Sequence, residues 1–595
     1  MQRSEKQRED LNASFTSNID LKEILQMPRS SLDNNVHVGK DVYDDIEMIR
    51  PYREDDESNT TIYDVVNFTK LCGSEIYLKH ILLHPSTNVK KLLKRSQILT
   101  NVEQHYDFIN NRLHEMQQVE SDVLWLFEDR DANITALYDM VYFRFWVTKR
   151  LNKIPSAVSL LNLYKMLLSP LIGILSPVMY FVIPYLVLTY KYKLNISFKT
   201  YLSLLFQSSK MLFEMNGWSA RLQYSSYIFS LVFYFQGVFN SVEVSRTSYN
   251  VAKFITKRVE NIIKFIDNGN DVLEISETLP IARNFFGVED ESLDLTRIQT
   301  PVIEGLDLGS KLTFFKTIDK TDLTKFITRA YQTDAIMSII QYKKLYCLQY
   351  TSFVDGTSPL MEFNDFWHPC ITTDKVVCNS IYLQQNSRNM IITGPNAGGK
   401  STLVKAILIN TLLAQTTTVA FCSNSRIKPF KFINSQINIP DCKGKESLFQ
   451  AEMHRCKYNF DSFNELSTGD CALVLMDEIL SSTNPLEGIS GSYAILKKMA
   501  TYTNCIVIFT THFAYLTKLE KCSHSFLNYK MDVMINNGVF QFPYVMKRGI
   551  SNQYIALDLL ESEGFYSDII QEAKTLRQRL SAFNEKRKDI HSVKK

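Results

Sequence analysis

Three short apolar runs punctuate the second half of the chain. They are MIIT at 390–393, ALVLM at 472–476 and CIVIFT at 505–510, and none contains a charge. Unbroken apolar runs of this length read as strands covered on both faces. The first leads through a glycine-rich stretch into an apolar helix. Upstream the rhythm changes. Residues 61–150 show helical spacing, with Ile81, Leu82, Leu92 and Leu93 set among lysines, and residues 247–345 return to charged helical periodicity. The pattern predicts an α + α/β protein. A helical domain occupies 61–345, an α/β unit 350–560, and a basic helical end 561–595. Residues 1–60 are polar and charged, and predict a mostly disordered lead-in. No internal repeat is visible.

Two stretches interrupt the helical region. Residues 166–190 run 25 positions without a charge, between Lys165 and Lys191, and residues 222–242 give a second uncharged run of 21. Both are long enough to cross a hydrocarbon core of about 30 Å. Against insertion stand Pro170, Pro177 and Pro184, each of which deletes a backbone donor. Against it also stand the five Lys and Arg of 191–221, which a hairpin would carry to the far side of the membrane. The pattern therefore admits three readings: a transmembrane hairpin, a buried helical core, or a dimer or membrane-surface element.

Composition narrows the picture only slightly. A chain of 595 residues exceeds one hydrophobic core. A net charge of +3 does not by itself announce a nucleic-acid partner. The basic residues of the C-terminal end, among them Lys574, Arg577 and Arg579, could touch phosphates or simply solvate a helix end. The ten cysteines include no CxxC pair and no His/Cys metal spacing, so they read as reduced thiols of an intracellular protein.

The chemistry is concentrated after the first run. Gly394-Pro395-Asn396-Ala397-Gly398-Gly399-Lys400-Ser401-Thr402 follows the pattern GxxxxGK[ST] in a strand–loop–helix setting. Such a loop turns backbone N–H groups around phosphate oxygens, and the helix that follows adds its positive end. Lys400 is placed to neutralise the β- and γ-phosphates of ATP, and Ser401 to hold Mg²⁺. The second run ends in Asp477-Glu478, one acid suited to Mg²⁺ and the next to activating water. The third ends in Thr511-His512, where the imidazole could sense a γ-phosphate or orient water.

These residues carry a family resemblance. GPNAGGKST, LVLMDEI and FTTHF resemble the ABC-type ATPase domain of the MutS family of DNA mismatch-repair ATPases. FWHPCI at 366–371 and SLFQAEM at 447–453 are similar to further stretches of that domain. Residues 61–99 resemble the start of the family's helical core, and 549–580 its dimerising end. The resemblance implies ATP and Mg²⁺ as ligands, DNA as a partner in repair or recombination, and a homodimer. Ser447 would reach the γ-phosphate bound by the other subunit. It also implies a helical core/lever domain before the ATPase domain. Departures accompany it. The usual DEIGRGTST reads DEILSSTNP at 477–485, closer to a divergent short form. Val376 stands where an aromatic residue typically stacks near the adenine. The roughly 60 residues before the helical core leave no room for a mismatch-reading domain. Apolar sequence replaces a basic DNA clamp, which opens the alternative of a membrane-associated MutS-like ATPase.

Overall fold

The three apolar runs form the centre of one sheet. The structure, a computed structural model, describes residues 36–51, 60–128, 132–213, 218–277, 281–286, 297–300, 307–372, 374–437, 448–536, 539–551, 557, 560–561, 564–577 and 579. The chain divides into two units. Among the described residues, one comprises those of 112–272 and 297–327, and the other those of 36–111, 273–286 and 328–579. The helical stretch 61–345 is thus shared between them and does not form one body.

The second unit holds a seven-stranded sheet. Its strands are β1 (His37–Val38), β2 (Asn389–Thr393), β3 (Phe432–Gln436), β4 (Ala472–Asp477), β5 (Cys505–Thr511), β6 (Phe526–Met531) and β7 (Met546–Arg548). They lie in the order β1-β3-β4-β5-β2-β6-β7, parallel except for β7. All residues of β2 and β5, and all of β4 but Asp477, are buried, as a sheet covered on both faces requires. Register matters most. Thr393 pairs with Thr511, and Asp477 with Thr510, so three strands end level at their C-terminal edge. A smaller four-stranded sheet, built from Ser352–Phe353, Asn424–Ile427, Leu360–Phe366 and Asn379–Gln384, accompanies it.

Residues 36–51 carry structure that the polar composition of 1–60 does not predict. His37–Val38 adds an edge strand beside Phe432–Ile433, and Val42, Ile46 and Met48 are buried. Few apolar residues among many acids hid this segment, because an edge strand of two residues leaves no periodicity.

The helix that follows β2, Lys400–Thr417, is buried along nearly its whole length. Its C-terminal carbonyls are met by the helical region. The backbone N–H of Ser86 donates to Gln415 O (2.9 Å), and Arg95 Nη1 donates to Thr416 O (2.6 Å). Tyr342 Oη lies 2.7 Å from Thr417 Oγ1. Burial pushes the Arg95 guanidinium down to about 10, which leaves it charged at neutral pH. A cation at the negative end of a buried helix is favourable, and its hydrogen bonds satisfy otherwise orphaned carbonyls.

The first unit is helical. Val251, Ile255, Val259 and Ile263, on the helix Trp218–Glu277, pack with Val141, Val158 and Leu312 in its core.

Replacing Arg95 with Met should destabilise the second unit by about 3 kcal/mol, the range for stripping a charged donor from buried acceptors. The unfolding midpoint monitored on that unit measures it. A loss below about 0.5 kcal/mol would show that these bonds contribute nothing net.

Candidate nucleotide site

The turn after β2 is shaped by backbone conformation. Ala397 and Gly399 both take left-handed φ, +66° and +85°. A Cβ on Gly399 would also lie 2.8 Å from Tyr544 Cδ1, so glycine is required there twice over. Gly394 and Gly398 are buried in the turn, whereas Asn396, Ala397, Ser401 and Thr402 are exposed, with Pro395 half-buried. The loop thus opens to solvent on one side.

Lys400, nearly fully buried, folds back over the loop. Its Nζ donates to Gly394 O (3.2 Å) and Pro395 O (3.1 Å), and sits 3.4 Å from Glu478 Oε1. The ammonium therefore occupies the hollow of the turn and rests on a carboxylate. Ser401 Oγ donates to Asp477 Oδ2 at 2.5 Å, and Thr510 Oγ1 donates to the other Asp477 oxygen. Asp477 is in this way fixed from both sides at the end of β4. A hydroxyl and a carboxylate brought together form a hard-oxygen pair that suits Mg²⁺. Among the described residues no group of three or more His, Cys, Asp or Glu side chains could hold a metal by itself, so an ion here would lean on substrate oxygens and water.

Glu478 adopts φ of +51°, and its N–H donates to Thr510 O (3.2 Å). His512 Nε2 lies 2.6 Å from Glu478 Oε1. Burial alone would raise the Glu478 carboxyl. The hydrogen bond and charge of His512, with the charge of Lys400, outweigh burial and hold it below its ordinary value. The carboxylate is therefore ionised at neutral pH, as a group that polarises water must be.

The sequence singles out twelve of these positions, and the structure brings Gly394–Thr402, Asp477, Glu478 and His512 to one edge. Ser447 lies outside the described residues. His512 is engaged with Glu478. Three residues escaped the sequence reading. Thr510 is the polar residue that closes an apolar run, a signal readable once β4 and β5 are paired. Tyr544 comes from a distant turn and has no local signature. Glu452 is buried and accepts from Ser482 Oγ (2.9 Å), and burial raises its carboxyl.

That contact explains how the divergent DEILSSTNP segment is held. Leu480 takes φ of +56°, a left-handed conformation that costs a leucine about 1–2 kcal/mol. The helix Pro485–Met499 accommodates it through two glycines. A Cβ on Gly488 would lie 2.5 Å from Leu480 O, and one on Gly491 would lie 2.7 Å from Leu480 Cδ1. The first clash is with backbone two residues from Glu478. The second is with the end of a flexible side chain.

Gly488→Ala should accordingly impair nucleotide turnover far more than Gly491→Ala, by at least tenfold in kcat, because only the former must shift the turn that carries Glu478. Equal effects of the two substitutions would contradict this.

Residues 390–581 match the family described as MutS domain V. The chain is also similar to the DNA mismatch repair protein MutS of Prochlorococcus marinus (strain MIT 9301), 27% identical over 41% of this chain and 25% of that protein. It is similar to the DNA mismatch repair protein MutS of Persephonella marina, 29% identical over 39% of this chain and 27% of the relative. The endonuclease MutS2 of Finegoldia magna is 30% identical over 42% of this chain and 32% of its own length. The match thus spans about a quarter to a third of these relatives. The matched segment contains the level strand ends, the glycine-rich turn and the paired acids described above, and over this domain the chain is similar to the MutS family.

Proposed function

We propose that this chain binds ATP with Mg²⁺ at the Gly394–Thr402 turn, hydrolyses it, and uses the cycle to close and reopen a dimer that acts on DNA in repair or recombination. The observation that carries the proposal is the convergence of two contacts at one sheet edge: Ser401–Asp477–Thr510 on one side, Lys400–Glu478–His512 on the other. Backbone N–H groups of the turn and Lys400 would receive the phosphates. Mg²⁺ on Ser401 and Asp477 would neutralise developing phosphate charge. Glu478, already ionised, accepts a proton from the attacking water, and His512 orients the pair.

The open side of the turn supports a shared site. Hydrolysis of a triphosphate proceeds best where bulk water is excluded. With Asn396, Ala397, Ser401 and Thr402 exposed, a second copy is the natural cover, and Ser447 is the residue proposed to act from it. DNA as the partner rests on the relatives, two of which are named for DNA mismatch repair.

Lys400→Ala should abolish ATP binding, whereas Glu478→Gln should retain binding, lose turnover by about 10²–10⁴-fold and accumulate an ATP-bound dimer. Sedimentation with and without ATP, alongside phosphate release, reads both. A fully active Gln variant that stays monomeric would refute the shared-site mechanism. Duplex DNA binding by the trapped form should weaken steeply as salt rises. Binding that is absent, or indifferent to salt, would remove DNA from the proposal.

The depressed Glu478 carboxyl also fixes a pH dependence. It stays ionised until pH falls through its lowered native value, so its ion pairs stabilise the site above the ordinary carboxylate range and are lost only in acid. His512→Ala removes the hydrogen bond and charge that offset burial, and the carboxyl rises. The acid limb of the kcat profile should then move to higher pH than in the parent chain. An unmoved limb would mean that His512 does not tune Glu478.

A further inference from the structure

Two helices of the first unit are long and apolar enough to cross a membrane, Pro155–Met179 and Ile228–Ile275, and their most apolar stretches are almost entirely unburied. They are parts of longer helical runs that pair antiparallel. Ser245 Oγ donates to Met166 O (2.5 Å), the Ser169 and Ser241 hydroxyls meet at 3.2 Å, and Tyr234 Oη donates to Ile174 O (2.9 Å). This register sets the uncharged run 166–190 alongside the uncharged run 222–242, level with level. At 1.5 Å per residue the two runs are about 37 and 31 Å tall, against a hydrocarbon core of about 30 Å.

The exposed apolar positions do not form a single stripe. Leu171, Ile172, Ile174 and Leu175 on one helix are all exposed, and so are Leu231, Val232, Phe233 and Phe235 on the other. At about 100° per residue these four positions cover about 160° of the first helix and about 200° of the second, wider than the roughly 100° stripe by which a surface helix meets a core. Below the band the helix Trp218–Glu277 changes character, and Val251, Ile255 and Val259 are buried in a protein core. Exposed tyrosines mark both ends of the band, Tyr164 and Tyr249 at one, Tyr190 and Tyr192 at the other. Tyrosine collects at membrane–water boundaries.

Two of the three prolines, and the basic loop, are accounted for. Pro170 frees the carbonyl of Met166, which receives the Ser245 hydroxyl, and Pro177 frees that of Gly173, which receives the Ser176 hydroxyl (2.8 Å). Hydroxyl donors of this kind are how membrane helices tolerate proline. The basic loop is also outweighed. Residues 144–165 and 246–258 together carry nine Lys and Arg, against five in 191–221. The positive-inside bias thus keeps both flanks of the hairpin on the inner side.

We infer that residues 166–190 and 222–242 form a transmembrane hairpin embedded in a lipid bilayer, with 191–221 on the far side. This inference is independent of the nucleotide reading. A topology experiment on the full chain expressed in cells tests it. No native cysteine lies between Cys72 and Cys347, so the parent chain has no thiol in the loop. A membrane-impermeant maleimide added to intact cells should label Ser203→Cys and leave the parent chain unlabelled. Alkaline carbonate should leave both in the membrane pellet, and detergent should release them. Labelling of Ser203→Cys only after permeabilisation, release by carbonate, or recovery as a water-soluble oligomer would each overturn the inference. Leu175→Arg combined with Phe233→Arg, which puts two charges in mid-band, should shift the chain out of the pellet while ATP binding persists. Undiminished retention in the pellet would count against lipid contact at these positions.

Discussion

The site depends on strand register. Asp477 can be held by Ser401 and Thr510 at once only because β4 ends beside Thr510 and β2 ends beside Thr511. A slip of one residue would turn every side chain on the moved strand to the opposite face. Asp477 would then leave Ser401, and Glu478 would leave Lys400 and His512. The buried apolar runs fix that register, since each has its side chains enclosed on both faces. The hydrophobic pattern that makes the sheet therefore also makes the chemistry.

The same helix that opens on the phosphate turn closes on the helical region. Its first residue is Lys400, and its last carbonyls accept from Ser86 and Arg95. A buried, close-packed helix transmits displacement from one end to the other with little loss. Lys400 at one end and the contacts of Arg95, Ser86 and Tyr342 with Gln415–Thr417 at the other are joined by one continuous buried helix. The left-handed turns at Glu478 and Leu480 lie beside the same site, and backbone strain of this sort persists only when packing over-determines it.

Much of this was legible before any coordinates. The glycine-rich turn, the acids after ALVLM and the histidine after CIVIFT are local patterns, and local patterns survive in a sequence. The division of the helical region between two units was not legible, because periodicity reports a helix face and not its neighbour. The edge strand His37–Val38 was too short to leave a period. Thr510 and Tyr544 enter through strand pairing and a distant turn. Ser245, which donates to the Met166 carbonyl that Pro170 frees, lies 79 residues away in sequence, so that partner became visible only with the antiparallel register.

The account rests on a triphosphate being received between the 394–402 turn and the two acids that end β4. Equilibrium titration of the purified full chain, soluble or in detergent, with an adenine nucleotide, with and without Mg²⁺, tests that most directly. The account predicts saturable binding of one nucleotide per chain, tightened by Mg²⁺. Absence of measurable affinity in properly folded protein would contradict it.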